Sequence, residues 1–395
     1  MSEYSPLSVK LSKILDRETK KNEGIFFTSQ SIIQECIQQI LPLTNSISIL
    51  EPSCGSGEFI SALLEKDKTI NITGIENNAV IYEAVKAFET PEHPNTKIIH
   101  GDFFKVKHDK KYDIIIGNPP YFVIKKNTVD NIYLEYFDGR PNIFILFILK
   151  SLALLADNGF LCFVLPNNFL NCLYYDKTRQ YIVKNFTIIN IFEAKGDFID
   201  TQQETIVMVV QNKTPTTSNS PYKVMFRENT IFGSRDNIIS LQSLIKDSTT
   251  IRALGLSVNV GKIVWNQKKA ILTDDPTKTR LIYSSDIKKG TVGKETYKNA
   301  EKKNYINCQG TTGKILLVNR GYGVGKYKFE FALYDSSGPY LIENHIICIS
   351  GPDTNDIFEK IIISFKDQRT RQFIDLYFKN NAINVSELAN ILPIY

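Results

Sequence analysis

The chain has no unbroken apolar run of ~18 residues, the length a helix needs to cross a bilayer, so no membrane span is expected. Its start, MSEYSPLSVKLSKIL, lacks the basic patch, apolar stretch and small-residue cleavage site of a secretory leader. The 6 cysteines (Cys36, Cys54, Cys162, Cys172, Cys308 and Cys348) form no Cys-x-x-Cys pair, and the 4 histidines do not gather near them. Structural zinc and a disulfide framework are therefore not expected. The cysteines read mostly as small buried hydrophobes of a protein in the reducing cytoplasm, with no bound metal.

What is present is core-forming residues in quantity. The 395 residues are 43% hydrophobic, enough for two or three packed domains. Charge is divided unevenly. Up to Asn212 there are 21 Lys and Arg against 25 Asp and Glu, net −4; the remainder has 26 against 17, net +9. A basic second part on a slightly acidic first part suggests a polyanionic partner met mainly by the second.

Short apolar runs alternate with helical patterns through the first 212 residues. SISILE (46–51), NITGIE (71–76), TKIIHG (96–101), YDIIIGN (112–118) and GFLCFVLP (159–166) read as strands. SIIQECIQQIL (31–41), EFISALLEK (58–66), NAVIYEAVKAF (78–88), NIFILFILKSLALLA (142–156) and YDKTRQYIVKNF (175–186) read as helices. Repeated βα units predict a mostly parallel α/β sheet. TIINIFE (187–193) and ETIVMVVQN (204–212) have no helix between them and predict one antiparallel edge hairpin. After the polar loop KTPTTSNSP (213–221) and a less regular stretch, short strands, turns and a helical tail predict an α+β domain. The division is placed at 1–245 and 246–395.

Chemistry-bearing residues collect at the strand ends. Asn118-Pro119-Pro120-Tyr121 ends the run DIIIGNPPY. Two prolines cannot donate to a ladder, so they stop the strand and leave a stiff loop carrying one amide and one aromatic ring. Such a pair can grip a planar base and its exocyclic amine; the same residues also make a plain turn. Glu51-Pro52-Ser53-Cys54-Gly55-Ser56-Gly57 follows the first strand and opens a helix. It lacks the third glycine of a dinucleotide loop and the Lys-Ser/Thr of a phosphate loop, so phosphate binding is not favoured. Glu76 ends the second strand, where an acid can accept from ribose hydroxyls, and Asp102 follows the third, with Phe103 beside it. Singly, each acid is better explained as a solvated strand end or a helix cap; three acids at successive strand ends beside a Gly-x-Gly loop make coincidence much less frequent.

The order EPSCGSGEF, GIENN, GDFF, GNPPY, GFLCFVLPNNF resembles the TaqI-like gamma class of S-adenosylmethionine-dependent DNA adenine-N6 methyltransferases, over about residues 22–212. FFTSQSII (26–33) looks like that family's cofactor motif placed before the sheet; SSDIKKG (284–290) and GKILLVNRG (313–321) look like pieces of its target-recognition domain. The resemblance implies a Rossmann-like methyltransferase sheet followed by a DNA target-recognition domain. By the same resemblance Phe26, Thr28, Glu51, Pro52, Ser53, Cys54, Gly55 and Gly57 would hold the methionine part of the cofactor. Glu76 and Asn77 would hold its ribose and flank its adenine, which Asp102 and Phe103 would recognise. Asn118, at the edge of that set, and the Pro119 carbonyl would accept from the target amine, with Pro120 stiffening the loop. Tyr121 and Phe198 would stack on the target base. The partner would be duplex DNA, with Lys262, Lys268, Lys269, Arg320, Lys326 and Lys328 as contacts, and a cognate restriction endonuclease is a possible separate chain. The oligomeric state is left open, a monomer being favoured.

The chemistry follows from the residues alone. An adenine amine is a poor nucleophile because its lone pair is delocalised into the ring. Two fixed acceptors on its hydrogens would localise that pair for direct attack on the methyl group, without a covalent intermediate. The atom is unreachable inside a duplex, so the base must flip out. An RNA adenine methyltransferase or a protein glutamine methyltransferase would pose the same chemical problem, and a DNA-binding subunit with a decayed site is a third alternative.

Overall fold

Seven strands of the first half form one sheet in the order β3-β2-β1-β4-β5-β7-β6. They are β1 (Ser48–Glu51), β2 (Asn71–Glu76), β3 (Thr96–His100), β4 (Tyr112–Gly117), β5 (Leu155–Pro166), β6 (Thr187–Glu193) and β7 (Thr205–Gln211). The first five are parallel; β7 runs antiparallel to both β5 and β6, giving the edge hairpin expected of two strands with no helix between them. The computed structural model describes residues 3–43, 47–196, 199, 204–217, 219–321, 327–351, 355–378 and 382–395.

Helices cover both faces, so the strands are apolar throughout rather than alternating. Ile114 and Ile116 of β4 pack with Ile32, Ile33 and Ile37 of α3 (Gln30–Gln38) and with Phe59, Ile60 and Leu63 of α4 (Glu58–Lys66). Ile115, one residue out of phase, packs with Leu50 and with α6 (Ile143–Leu154) on the other face. α6 is buried on nearly every side, as a helix apolar all round must be. Before α3 lie α1 (Pro6–Ile14) and α2 (Arg17–Glu23); α5 (Ala79–Val85) and α7 (Asp176–Asn185) complete the layers. The small hairpin β8 (Lys223–Phe226) and β9 (Asn229–Phe232) follows.

The strand order reverses at β1, which lies between β2 and β4. In open α/β sheets that switch point leaves a crevice beyond the carboxyl ends of the strands. The glycine loop leaves the end of β1 and Asn118 follows the end of β4, so both open on that crevice.

The chain divides into two compact units, Met1–Ile238 and Ile239–Tyr395. The division falls inside α8 (Arg235–Ile245), whose last residue is the boundary expected from sequence. The second unit holds a mixed sheet in the order β10-β18-β16-β17-β12-β15-β11. Its strands are β10 (Ser257–Val260), β11 (Leu272–Thr273), β12 (Thr279–Ile282), β15 (Tyr305–Ile306), β16 (Thr311–Asn319), β17 (Phe331–Ile342) and β18 (Ile346–Ser350). A two-stranded hairpin of β13 (Ile287–Lys288) and β14 (Thr291–Val292) and the helices α9 (Asn355–Lys366), α10 (Gln368–Tyr377) and α11 (Val385–Asn390) complete this α+β unit.

Candidate functional site

The loop between β1 and α4 is built on two left-handed glycines, Gly55 at φ +50° and Gly57 at φ +76°. A Cβ on Gly57 would meet Phe88 at 2.5 Å, whereas one on Gly55 would meet nothing within 4 Å among the described residues. Gly57 thus lets the helix start tightly against its neighbours. Backbone bonds fix the loop: Cys54 N–H donates to Ile75 O at 2.8 Å and Gly57 N–H to Cys54 O at 2.8 Å. The Cys54 side chain is buried against Gly74, so its part in the loop is played by its backbone.

Glu76, at the end of β2, grips this loop. Its carboxylate accepts from Gly55 N–H at 2.9 Å and from Asn78 N–H at 2.7 Å. Burial nevertheless pushes its carboxyl above the usual range. Glu51, at the end of β1, is 2% exposed, and its Oε2 has no hydrogen-bond partner among the described residues. Burial, together with the Glu76 and Glu58 carboxylates, holds the Glu51 carboxyl well above the ordinary carboxylate range. An unpartnered buried oxygen calls for a donor, and a cationic donor fits best.

A cavity of about 280 Å³ opens beside these acids. Phe26, Ser53, Gly55, Glu76, Asn77, Asp102, Phe103 and Asn118 all line it, as does Pro52. A smaller cavity of about 30 Å³, sharing Phe26, Ser53, Gly55 and Asn118 with the first, is lined by Thr28, Glu51 and Cys54. Asp102 accepts from Phe104 N–H at 2.9 Å through one oxygen, and its other oxygen lies 3.7 Å from Lys105 Nζ. Phe103 is buried, with its ring stacked on Phe147 at 5.0 Å. Lys150 of α6 lies beneath it, donating to Phe103 O at 2.5 Å with its ammonium 4.7 Å from the Phe103 ring centre.

The amide of Asn118 is oriented by its surroundings. Its Nδ2 donates to Thr28 Oγ1 at 3.1 Å and lies 3.5 Å from Phe26 O. Two acceptors on the nitrogen leave Oδ1 as the acceptor end. The Tyr121 hydroxyl takes that end: it lies against Asn118 Oδ1 and against Val164 O, the latter at 2.8 Å. Burial pushes the Tyr121 phenol well above its ordinary value, so the hydroxyl stays a donor at neutral pH. The Tyr121 ring sits edge-on to Phe144 at 6.0 Å. Pro119 is buried, and Pro120 and Phe122 join the cavity wall.

Of the site residues expected from sequence in the first unit, Phe26, Thr28, Glu51, Pro52, Ser53, Cys54, Gly55, Glu76, Asn77, Asp102, Phe103, Asn118 and Pro120 line these two cavities, whereas Gly57, Pro119 and Tyr121 line neither. Phe198 and Lys326 lie outside the described residues. In the second unit Lys262, Lys268, Arg320 and Lys328 are exposed, while Lys269 is paired with Glu301 at 2.6 Å. Sequence reasoning passed over Lys150 and Glu58. Lys150 had a signal, as the one charge in an otherwise apolar helix. Glu58 had none, since its partners come from residues 5–30.

Over residues 14–199 the chain matches the family model of the Eco57I restriction-modification methylase. It is 29% identical to the Type II methyltransferase M.CvrRI of Paramecium bursaria Chlorella virus XZ-6E across the whole of both chains. It is 31% identical to the Type II methyltransferase M.AccI of Acinetobacter calcoaceticus over 60% of this chain and 43% of that one. The solved structure of the DrdV–DNA complex shares the fold over 98% of this chain and 57% of that chain, with a TM-score of 0.57 and 12% identity. The segment that matches the Eco57I restriction-modification methylase model, residues 14–199, is the one that carries the glycine loop, the strand-end acids and Asn118–Tyr121.

Proposed function

We propose that the chain is a Type II restriction-modification methyltransferase that methylates the N6 amine of an adenine swung out of duplex DNA, using S-adenosylmethionine. The observation that carries this is the fixed amide of Asn118, its nitrogen held by Thr28 so that Oδ1 is the acceptor beside the cofactor cavity. An exocyclic amine, with two hydrogens to donate, is the group that such an acceptor selects.

The residues of the cavity fit the cofactor. The unpartnered Glu51 Oε2 suits the α-ammonium of its methionine part, and open Gly55 leaves room for the chain. Glu76 and Asn77 suit the ribose, and Asp102 with the Phe103 platform suits the adenine. When bound, S-adenosylmethionine supplies an electrophilic methyl group on a sulfonium. Asn118 Oδ1 and the Pro119 carbonyl would each take one hydrogen of N6, which draws the lone pair out of conjugation. The target amine would replace the Tyr121 hydroxyl on Oδ1, with the ring of Tyr121 against the base. An amide takes no proton at neutral pH, so Asn118 polarises and does not act as a base. The second unit, Ile239–Tyr395, is the target-recognition domain. Its lysines supply phosphate contacts that set affinity, and a few side chains in the groove set sequence.

The test is Asn118→Ala: methyl transfer should be lost while S-adenosylhomocysteine still binds within about threefold of the native Kd. Retained turnover would remove the role assigned to the amide.

A further inference from the structure

The glycine loop is held from two sides. Glu76 and Ile75 of β2 hold one. The other is held by an N-terminal arm, residues 5–30, through a single carboxylate. Glu58, the first residue of α4, is 5% exposed. Its Oε1 accepts from the backbone N–H of Ser5 at 3.2 Å and from the hydroxyls of Ser5 and Ser8. Its Oε2 accepts from Gln30 Nε2. Beside it the Ser8 and Ser56 hydroxyls lie 2.7 Å apart, which joins the arm to the loop itself. Ser5 also caps α1, accepting from Ser8 N–H at 3.1 Å.

The two ends of the arm, at Ser5–Ser8 and at Gln30, are thus gathered on one side chain. Between them lie Phe26, Phe27 and Thr28, which form one wall of the cavities and reach Asn118. A buried carboxylate with four donors is well satisfied; removing it takes away the one acceptor that those donors share.

We propose that Glu58 is a positioning residue that clips the N-terminal arm across the cofactor loop, so that arm closure and cofactor occupancy are thermodynamically linked. It borders the smaller cavity, but both of its oxygens are taken up by the arm. It acts through Ser5, Ser8 and Gln30 to keep Phe26–Thr28 in place. Linkage is reciprocal: a ligand that needs the closed arm must also protect it. The proposal rests on the cavity being the S-adenosylmethionine site.

The test is amide hydrogen exchange of residues 5–30 in the full chain, with calorimetric titration by S-adenosylhomocysteine, for native protein, Glu58→Ala, Glu58→Gln and Ser8→Ala. In Glu58→Ala, exchange across the arm should rise at least tenfold without ligand, while β4 and β5 stay protected, and the Kd should rise at least tenfold. Glu58→Gln retains an acceptor on Oε1, so it should restore most of the protection and affinity; Ser8→Ala should fall between. In native protein the ligand should slow exchange in the arm. An arm that stays protected in Glu58→Ala, with native affinity, would overturn the clip. An arm that opens with unchanged affinity would overturn the linkage. Native protein that binds no S-adenosylhomocysteine would instead overturn the cofactor site, and the linkage with it, whatever the arm does.

Discussion

Thr28→Val separates orientation of the Asn118 amide, proposed to polarise the target amine, from assembly of the site. Thr28 is buried, and its Oγ1 accepts from Asn118 Nδ2 at 3.1 Å. Valine matches threonine in shape and removes only that oxygen. Asn118 Nδ2 then keeps Phe26 O alone, at a marginal 3.5 Å. A buried donor left without a good partner costs about 1–3 kcal/mol. The amide can avoid that cost by turning over, which points Nδ2 at the target amine and removes the acceptor. A penalty of about 1–2 kcal/mol corresponds to roughly a five- to thirtyfold drop in the correctly oriented population. Single-turnover methyl transfer, with enzyme saturated by S-adenosylmethionine, should slow by that factor. Thr28→Ser should recover most of the rate, and Kd for S-adenosylhomocysteine should change less than threefold in both variants. Native single-turnover rates in Thr28→Val would refute the claim that Thr28 sets the amide's orientation.

Three further outcomes are expected. The Glu51 carboxyl is raised above its ordinary 4.5 by burial first and by the neighbouring acids second, so the folded state holds more protons than the unfolded one. Stability then falls as pH rises from about 4.5 toward the folded pKa. Glu51→Gln should therefore raise the Tm of ligand-free protein at pH 8 more than at pH 5, while weakening S-adenosylmethionine binding at least tenfold; melting scans and titrations check both. Tyr121→Phe keeps the ring and releases Asn118 Oδ1, so it should retain far more methyl transfer than Tyr121→Ala; the alanine variant should lose less with a mispaired target, for which flipping is easier. Equal losses on paired and mispaired duplexes would contradict stacking. Lys150→Met removes the ammonium that donates to Phe103 O. Titration should show S-adenosylhomocysteine binding several-fold more weakly, with little change in rate at saturation.

The sheet was legible because both of its faces are buried. Ile114, Ile115 and Ile116 read as a strand from composition alone, and α4 starts at Glu58 where the Gly55–Gly57 pattern placed it. The strand-end acids were legible because a parallel sheet delivers all its carboxyl ends to one edge. The partners of each group were not. That Thr28 faces Asn118, 90 residues away, depends on the path of the arm, which no local periodicity encodes. Glu58 illustrates the same limit, since a charge at the first position of a helix ordinarily serves the helix dipole in solvent. Here the arm covers it. Tyr121 differs in another way: a ring after two prolines reads as a free platform, yet the loop folds its hydroxyl back onto Asn118.

The measurement that bears most directly on the central claim is transfer of tritiated methyl from S-adenosylmethionine to duplex DNA, RNA and protein side by side, followed by digestion and nucleoside identification. Label should appear in duplex DNA as N6-methyladenine with native protein and vanish with Asn118→Ala. Label on cytosine, on RNA or on a glutamine side chain, or label that survives Asn118→Ala, would contradict the account.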